Sequence, residues 1–197
     1  MPLSPSYPVR FTGASAAPSA RTIRALHAAG FHTFSHTTPV TPGVSPSAAV
    51  IDRCIDELFS GRAHRRAGAP FTGSLTTGSV VVIRPLGIGV LASPCLVLRA
   101  EVERTAAAVT AEVIYATLPG HLECGEERFH LLWDRDAGTA AVTVSAFSRA
   151  ARPLTRLGGP VARGVQRFMA RRYARAVADP GVGCQDRGVA TSSAMWG

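Results

Sequence analysis

Lysine is absent from this chain of 197 residues: all 21 basic residues are arginine, and against 13 acidic residues they leave a formal net charge of +8. Alanine, glycine and proline are abundant, so the missing lysine reads first as the coding bias of a GC-rich genome. The second reading is contact with an anion or nucleic acid, because guanidinium bonds phosphate and carboxylate in pairs. Cysteine is scarce and scattered. Cys54, Cys95, Cys124 and Cys184 form no Cys-x-x-Cys pair, which excludes a paired-cysteine zinc site and a disulfide framework and points to a reducing, cytoplasmic setting. An unbroken apolar run of about 20 residues is also missing. The nearest approach, Val80 to Leu98, is interrupted by Arg84, Pro85 and Pro94, so it reads as consecutive buried strands, and no transmembrane segment is expected. The N-terminus lacks the apolar core of a signal peptide. There is no Gly-x-Ser-x-Gly and no glycine-rich phosphate loop, since Gly87 and Gly89 lie in a strand pattern with no helix after them. Aromatic residues make up only 7% of the chain. With no stacking platform beside the arginines, nucleic acid is disfavoured as a partner.

What is present describes one α+β domain. Residues 1–20 mix Pro, Ser, Ala and Gly without periodicity and read as a disordered leader. From Arg21 to Val40 a turn-rich lead-in precedes a first strand. Ser45 and Pro46 start a helix as N-cap and first residue; Val50, Ile51, Cys54, Ile55, Leu58 and Phe59 then share one face, and Gly61 ends it. Residues 62–78 read as a basic loop. Short strands follow over 79–84, 86–92, 95–103, 109–118, 126–134 and 139–147, with almost no helix between them, which argues for an antiparallel sheet. Gly159 and Pro160 open a final helix that Asp179, Pro180 and Gly181 close. Its apolar arc holds Val161, Val165, Phe168, Met169, Tyr173 and Ala176, while Arg163, Arg167, Arg171 and Arg175 run opposite. Residues 21–178 thus form the domain and 179–197 a flexible tail.

Chemistry is concentrated between Tyr115 and Phe129. Pro119, Gly120 and Gly125 make a turn between two strand patterns, with His121, Glu123, Glu126 and Glu127 around it. Alternation after the turn puts Glu127 on the same face as Phe129, Leu131 and Trp133. A carboxylate facing a core is costly unless paired or protonated. Arg172, whose helical angle falls inside the apolar arc, is the expected partner, with Tyr115 beside them on the preceding strand. His121, Glu123 and Glu126 admit a metal or acid–base reading, but their spacing matches no tight ligand motif, and no metal or cofactor is implied. The other histidines show no mutual spacing that supports a site.

The same stretch carries a resemblance. Tyr115, Thr117 to His121, Glu123, Gly125 to Glu127 and Phe129 match a pattern typical of the uncharacterised family called domain of unknown function 1990, which reads Tyr-Gly-Thr-Leu-Pro-Gly-His-Pro-Glu-x-Gly-Glu-Glu-x-Phe. The resemblance runs from about Ser47 to Val177, with further matches at Ala146 to Arg149, at Leu157 to Val161 and in Gln166, Arg167 and Arg171 to Tyr173. Ala116 and Leu122 depart from the pattern, as do Gly61 and Ala63, which stand where larger residues, often Trp and Met, are usual. The family brings no established activity. The element order is also similar to the helix-grip architecture of START-like domains, which implies a curved antiparallel sheet of six to seven strands gripping a long C-terminal helix, with one further helix in the N-terminal half. The resulting expectation is an apolar or amphipathic small molecule held between sheet and C-terminal helix, with Tyr115, Glu127 and Arg172 lining the site and His121 and Glu123 at its mouth. The alternatives are a cyclase-like or hydrolase-like enzyme using Glu127 in that cavity, and a basic interaction module for nucleic acid or a membrane surface.

Overall fold

The computed structural model describes residues 3–16, 18–85, 92–151 and 159–180, with the backbone alone for 159–163. Seven antiparallel strands form one sheet: β1 (His32–Pro39), β2 (Phe71–Thr72), β3 (Val80–Ile83), β4 (Ser93–Arg104), β5 (Ala108–Thr117), β6 (Glu123–Asp134) and β7 (Thr139–Ala150). Their order is β1-β7-β6-β5-β4-β3-β2. The run β4 to β7 is a meander of long neighbours, and β1 closes it from the other end of the chain. The four α-helices of the described residues are α1 (Ala20–Ala28), α2 (Ala48–Phe59), α3 (Arg62–Ala67) and α4 (Gly159–Ala178), and a 3-10 turn spans Val9–Phe11. The strand expected over 86–92 lies outside the described residues but for Ala92, as do 181–197 of the expected tail.

One face of the sheet carries the main core. Val97, Val113, Phe129 and Val144 meet Ile51, Cys54 and Leu58 of α2 and Ala170, Tyr173 and Val177 of α4. Leu58 is fully buried, so truncating it to Ala would cost about 2–5 kcal/mol. The helix α4 packs against β1, β7 and α3. Its buried residues, Ala170, Tyr173, Ala174, Val177 and Ala178, lie about one residue step, roughly 100°, round from the arc that hydrophobicity alone suggests. Val165 and Phe168, counted in that arc, are more than half exposed.

Several local expectations change in the structure. The lead-in after residue 20 is a helix, α1: the Ser19 side chain accepts from Thr22 N, and Gly30 at φ +79° turns the chain out of it. The helix α2 begins after Ser47, whose Oγ reaches Val50 N, so the cap lies two residues later than Ser45. The basic loop after Gly61 is in part helix α3, which buries Ala63, His64 and Ala67. Two of its charges are engaged: Arg62 and Arg66 both pair with Glu57, at 2.8 and 3.1 Å. In β4 the alternation slips at a bulge between Val97 and Arg99. Ala100 therefore joins Cys95 and Val97 at the main core, while Leu96 and Leu98 pack on the opposite face.

That opposite face overturns the expected leader. Residues 3–16 place Tyr7 and Phe11 on it, against Phe31, Cys124 and Phe147, with rings edge to face. Two aromatics among small residues show no period, so sequence alone misses them. Their anchor is Glu126 on β6. Its carboxylate accepts from Tyr7 Oη at 2.7 Å, Gly13 N at 2.8 Å, Ser15 N at 2.9 Å and also Ser15 Oγ.

Candidate functional site

The turn before β6 sets the site. His121 N donates to Leu118 O at 3.1 Å, with Pro119 at the second position and Gly120 at φ +100° at the third, a type II turn that requires a positive φ there. Two residues into β6, Gly125 lets the strand approach β7. A Cβ there would come within 2.0 Å of the Phe147 carbonyl oxygen. The Thr117 hydroxyl completes the junction, accepting from Gly125 N at 2.9 Å and donating to Gly125 O at 3.1 Å.

Beyond this junction the alternation places Glu127 on the helix-facing side, as its spacing from Phe129 predicts. Tyr115 lies opposite it on β5 and Ala146 opposite it on β7, with Phe34 of β1 beyond. The small Ala146 leaves space beside the carboxylate. A cavity of about 830 Å³ opens there between the sheet and α4, and Phe34, Ile83, Met169, Tyr115, Glu127 and Tyr173 contribute to its wall. His121, Glu123, Ser148 and Gln166 line it too. Gln166 Nε2 donates to Glu123 and, at 2.7 Å, to Ser148 Oγ, tying α4 to β6 and β7.

Arg172 is not in this wall. It is exposed on α4, where its guanidinium stacks over Phe168 at 5.6 Å and donates to Arg66 O at 3.2 Å. The one-step rotation of the buried arc carries it away from the sheet, so the expected Glu127–Arg172 pair does not form. Among the described residues no hydrogen bond or ion pair reaches the Glu127 carboxylate. Removal from water, reinforced by the charge of Glu123, pushes its pKa up to about 7. Burial also raises Glu123, against the bonds from Gln166 and Ser148. Burial lowers His121 to about 4, and Glu123 N donates to its Nδ1, so the ring is neutral at pH 7. Glu126 points to the other face of the sheet, so His121, Glu123 and Glu126 do not converge on one metal.

Three further residues belong to this region. His64 of α3 is 1% exposed and sits among the rings of Phe71, Tyr115, Phe129 and Tyr173, at 4.9 to 5.8 Å between centroids. Its Nε2 lies 3.5 Å from Tyr115 Oη, the long limit of a hydrogen bond, and burial pushes its pKa down to about 3. The spacing of Ala63, His64 and Ala67 was the available signal, masked by the glycine before it. Tyr173 and Gln166 share a helical face with Met169, which the rotated arc brings inward. The space beside Gly61 is filled by the Phe71 ring, which sits 2.7 Å from where a Gly61 Cβ would be.

A seven-stranded antiparallel sheet with a long C-terminal helix across a lined cavity defines the class, an α+β protein built around an internal cavity. The chain belongs to the family described as Domain of unknown function (DUF1990), whose pattern matches residues 15–176. A UPF0548 protein of Deinococcus radiodurans is 53% identical over 62 residues, 31% of this chain and 30% of that relative's length. Among solved structures, a protein from Nitrosospira multiformis matches with TM-score 0.44 and 13% identity over 74% of this chain and 96% of its own. Norcoclaurine synthase from Thalictrum flavum, in complex with dopamine and hydroxybenzaldehyde, matches with TM-score 0.42 and 12% identity over 76% and 87%. These structural likenesses are in outline, and the fold rests on the chain's own strand order. Among the described residues no helix is long and apolar enough to cross a membrane.

Proposed function

We propose that the protein binds an amphipathic small molecule between the sheet and α4. The observation that carries this reading is the cavity of about 830 Å³ with an unpartnered carboxyl group, Glu127, in its wall. That volume lies within the range of small-molecule clefts, which are mostly apolar with a few placed polar groups. Tyr115 and Glu127 would contact the ligand, with Glu123 and His121 nearer the turn. Cys54, Cys95 and Cys124 are free and buried, which supports a reducing compartment such as the cytoplasm. The test is titration with Nile red, a neutral apolar dye. Saturable fluorescence gain, lost in Ala146→Phe, supports the reading; no saturation, or equal binding by the variant, removes it.

A second reading, a cyclase-like or hydrolase-like enzyme, draws support from Glu127 alone. A carboxyl group that titrates near 7 is suited to general acid or base work at neutral pH. It predicts turnover of a bound ligand with a pH midpoint near 7, abolished in Glu127→Gln; binding without turnover leaves the first reading.

A further inference from the structure

The polar groups of the cavity carry information on what fills it. We infer that the ligand is an amine with an apolar body, its protonated nitrogen held beside the Glu127 carboxylate and the rings of Tyr115 and Tyr173. This rests on the ligand-binding reading above and narrows it to a chemical class.

The first observation is a contrast of sign. The chain carries +8 overall, yet the wall of its cavity includes Glu123 and Glu127. Among the described residues Arg149 is the arginine of the wall, and its contacts lead elsewhere: it donates to Ala29 O at 3.1 Å and lies 4.6 Å over the Phe31 ring. The second is unspent hydrogen-bonding capacity. Tyr173 is 5% exposed and lines the cavity, and among the described residues its hydroxyl has no hydrogen-bond partner. Tyr115, 2% exposed, has among the described residues only the long contact to His64. Both residues line the cavity, where a ligand's polar group can replace water as the partner of these hydroxyls. The third is the set of aromatic rings. Tyr115, Phe129 and Tyr173 pack edge to face at 5.3 and 5.7 Å, and ring faces attract a cation strongly where water is excluded.

An anion in this place would meet two carboxylates. A neutral ligand would leave Glu127 to hold its own proton. An ammonium group converts the same carboxylate into an ion pair with charge-assisted hydrogen bonds and offers further N–H donors to the phenol oxygens. The titratable groups facing Glu127 are Cys95 on β4, Tyr115 on β5, Glu123 on β6 and Tyr173 on α4. None of these is cationic; His32, His121 and Arg149 also line the cavity, but among the described residues no side chain donates to the Glu127 carboxylate, which leaves that role to the ligand. Binding an ammonium therefore expels the proton that Glu127 retains up to about 7, and amine affinity rises with pH through that value.

The test compares phenylbutylamine, phenylbutanol and phenylbutanoate by calorimetry on the full chain. The expected result is an amine preference over the alcohol of about tenfold or more near neutral pH, the size of one charge-assisted bond, with the anion weakest. Amine binding at about pH 6.5 should release up to about one proton and alcohol binding none. In Glu127→Gln the preference for the amine over the alcohol and the proton release should both vanish. Equal or tighter binding of the alcohol or the anion, or a preference that survives Glu127→Gln, overturns the inference and leaves the ligand-binding reading standing. If none of the three probes and no Nile red binds, both fall together.

Discussion

Glu126 and Glu127 are neighbours on one strand and meet opposite fates. The carboxylate of Glu126 accepts from four donors supplied by residues 7–15. That of Glu127 has none among the described residues and faces a cavity. Two more carboxylates are held by arginines: Glu57 accepts from Arg62 at 2.8 Å with Arg66 in ion-pair range at 3.1 Å, and Glu112 lies between Arg99 at 2.8 Å and Arg128 at 2.5 Å. A satisfied buried acid holds the fold together. An acid left unsatisfied costs stability, which the rest of the fold must offset, and such costs concentrate where a protein meets a ligand.

The comparison is broken most severely by Glu126→Ala. It strands the Tyr7 hydroxyl and the Gly13 and Ser15 amides, and at about 1–3 kcal/mol for each buried unsatisfied group the loss should approach about 4 kcal/mol. Urea unfolding measures this, and fast amide exchange at Gly13 and Ser15 should report the freed segment. Next is Glu127→Gln, with the opposite sign. The native pKa of about 7 lies above the ordinary 4.5, so between these values the folded chain holds a proton that the unfolded chain has released. Stability then falls as pH rises from about 4.5 to about 7 and is flat beyond. The variant should escape this loss, gaining up to about 3 kcal/mol above pH 7 and converging with the parent below about pH 4.5; a thermal melt series across pH reads the difference. Tyr7→Phe removes one of four donors and should cost about 1–1.5 kcal/mol by the same urea measurement. Smallest is Arg172→Met, expected within about 0.5 kcal/mol of the parent with no change in the Glu127 titration followed by carboxyl NMR. A shifted Glu127 there would restore the pairing that the structure denies.

Periodicity made much of this fold legible. The strands from Val109 onward and the helix after Ser47 follow from alternation and from the spacing of Ile51, Cys54 and Leu58, and the inward turn of Glu127 follows from its distance to Phe129. What stayed hidden depends on partners distant in sequence. Tyr7 and Phe11 have no local pattern and are placed by Glu126. The bulge at Leu98 comes from pairing with β5. The facing of α4 is decided by which side of it meets β1, β7 and α3, and one residue step sufficed to move Arg172 out of the site and bring Gln166 in.

The strand order has a consequence in time. The hairpins from β4 to β7 join neighbours in sequence, whereas His32 of β1 meets Ser148 of β7 across roughly a hundred residues of chain, a closure that ordering entropy delays. The meander should therefore gain amide protection first in pulse-labelled refolding, with β1, the N-terminal segment and α4 docking onto it afterwards. Phe34 from β1 and Tyr173 from α4 are both walls of the cavity. The cavity should thus be the last part of the described molecule to form, and a nascent chain carries an exposed, half-built version of it until α4 arrives.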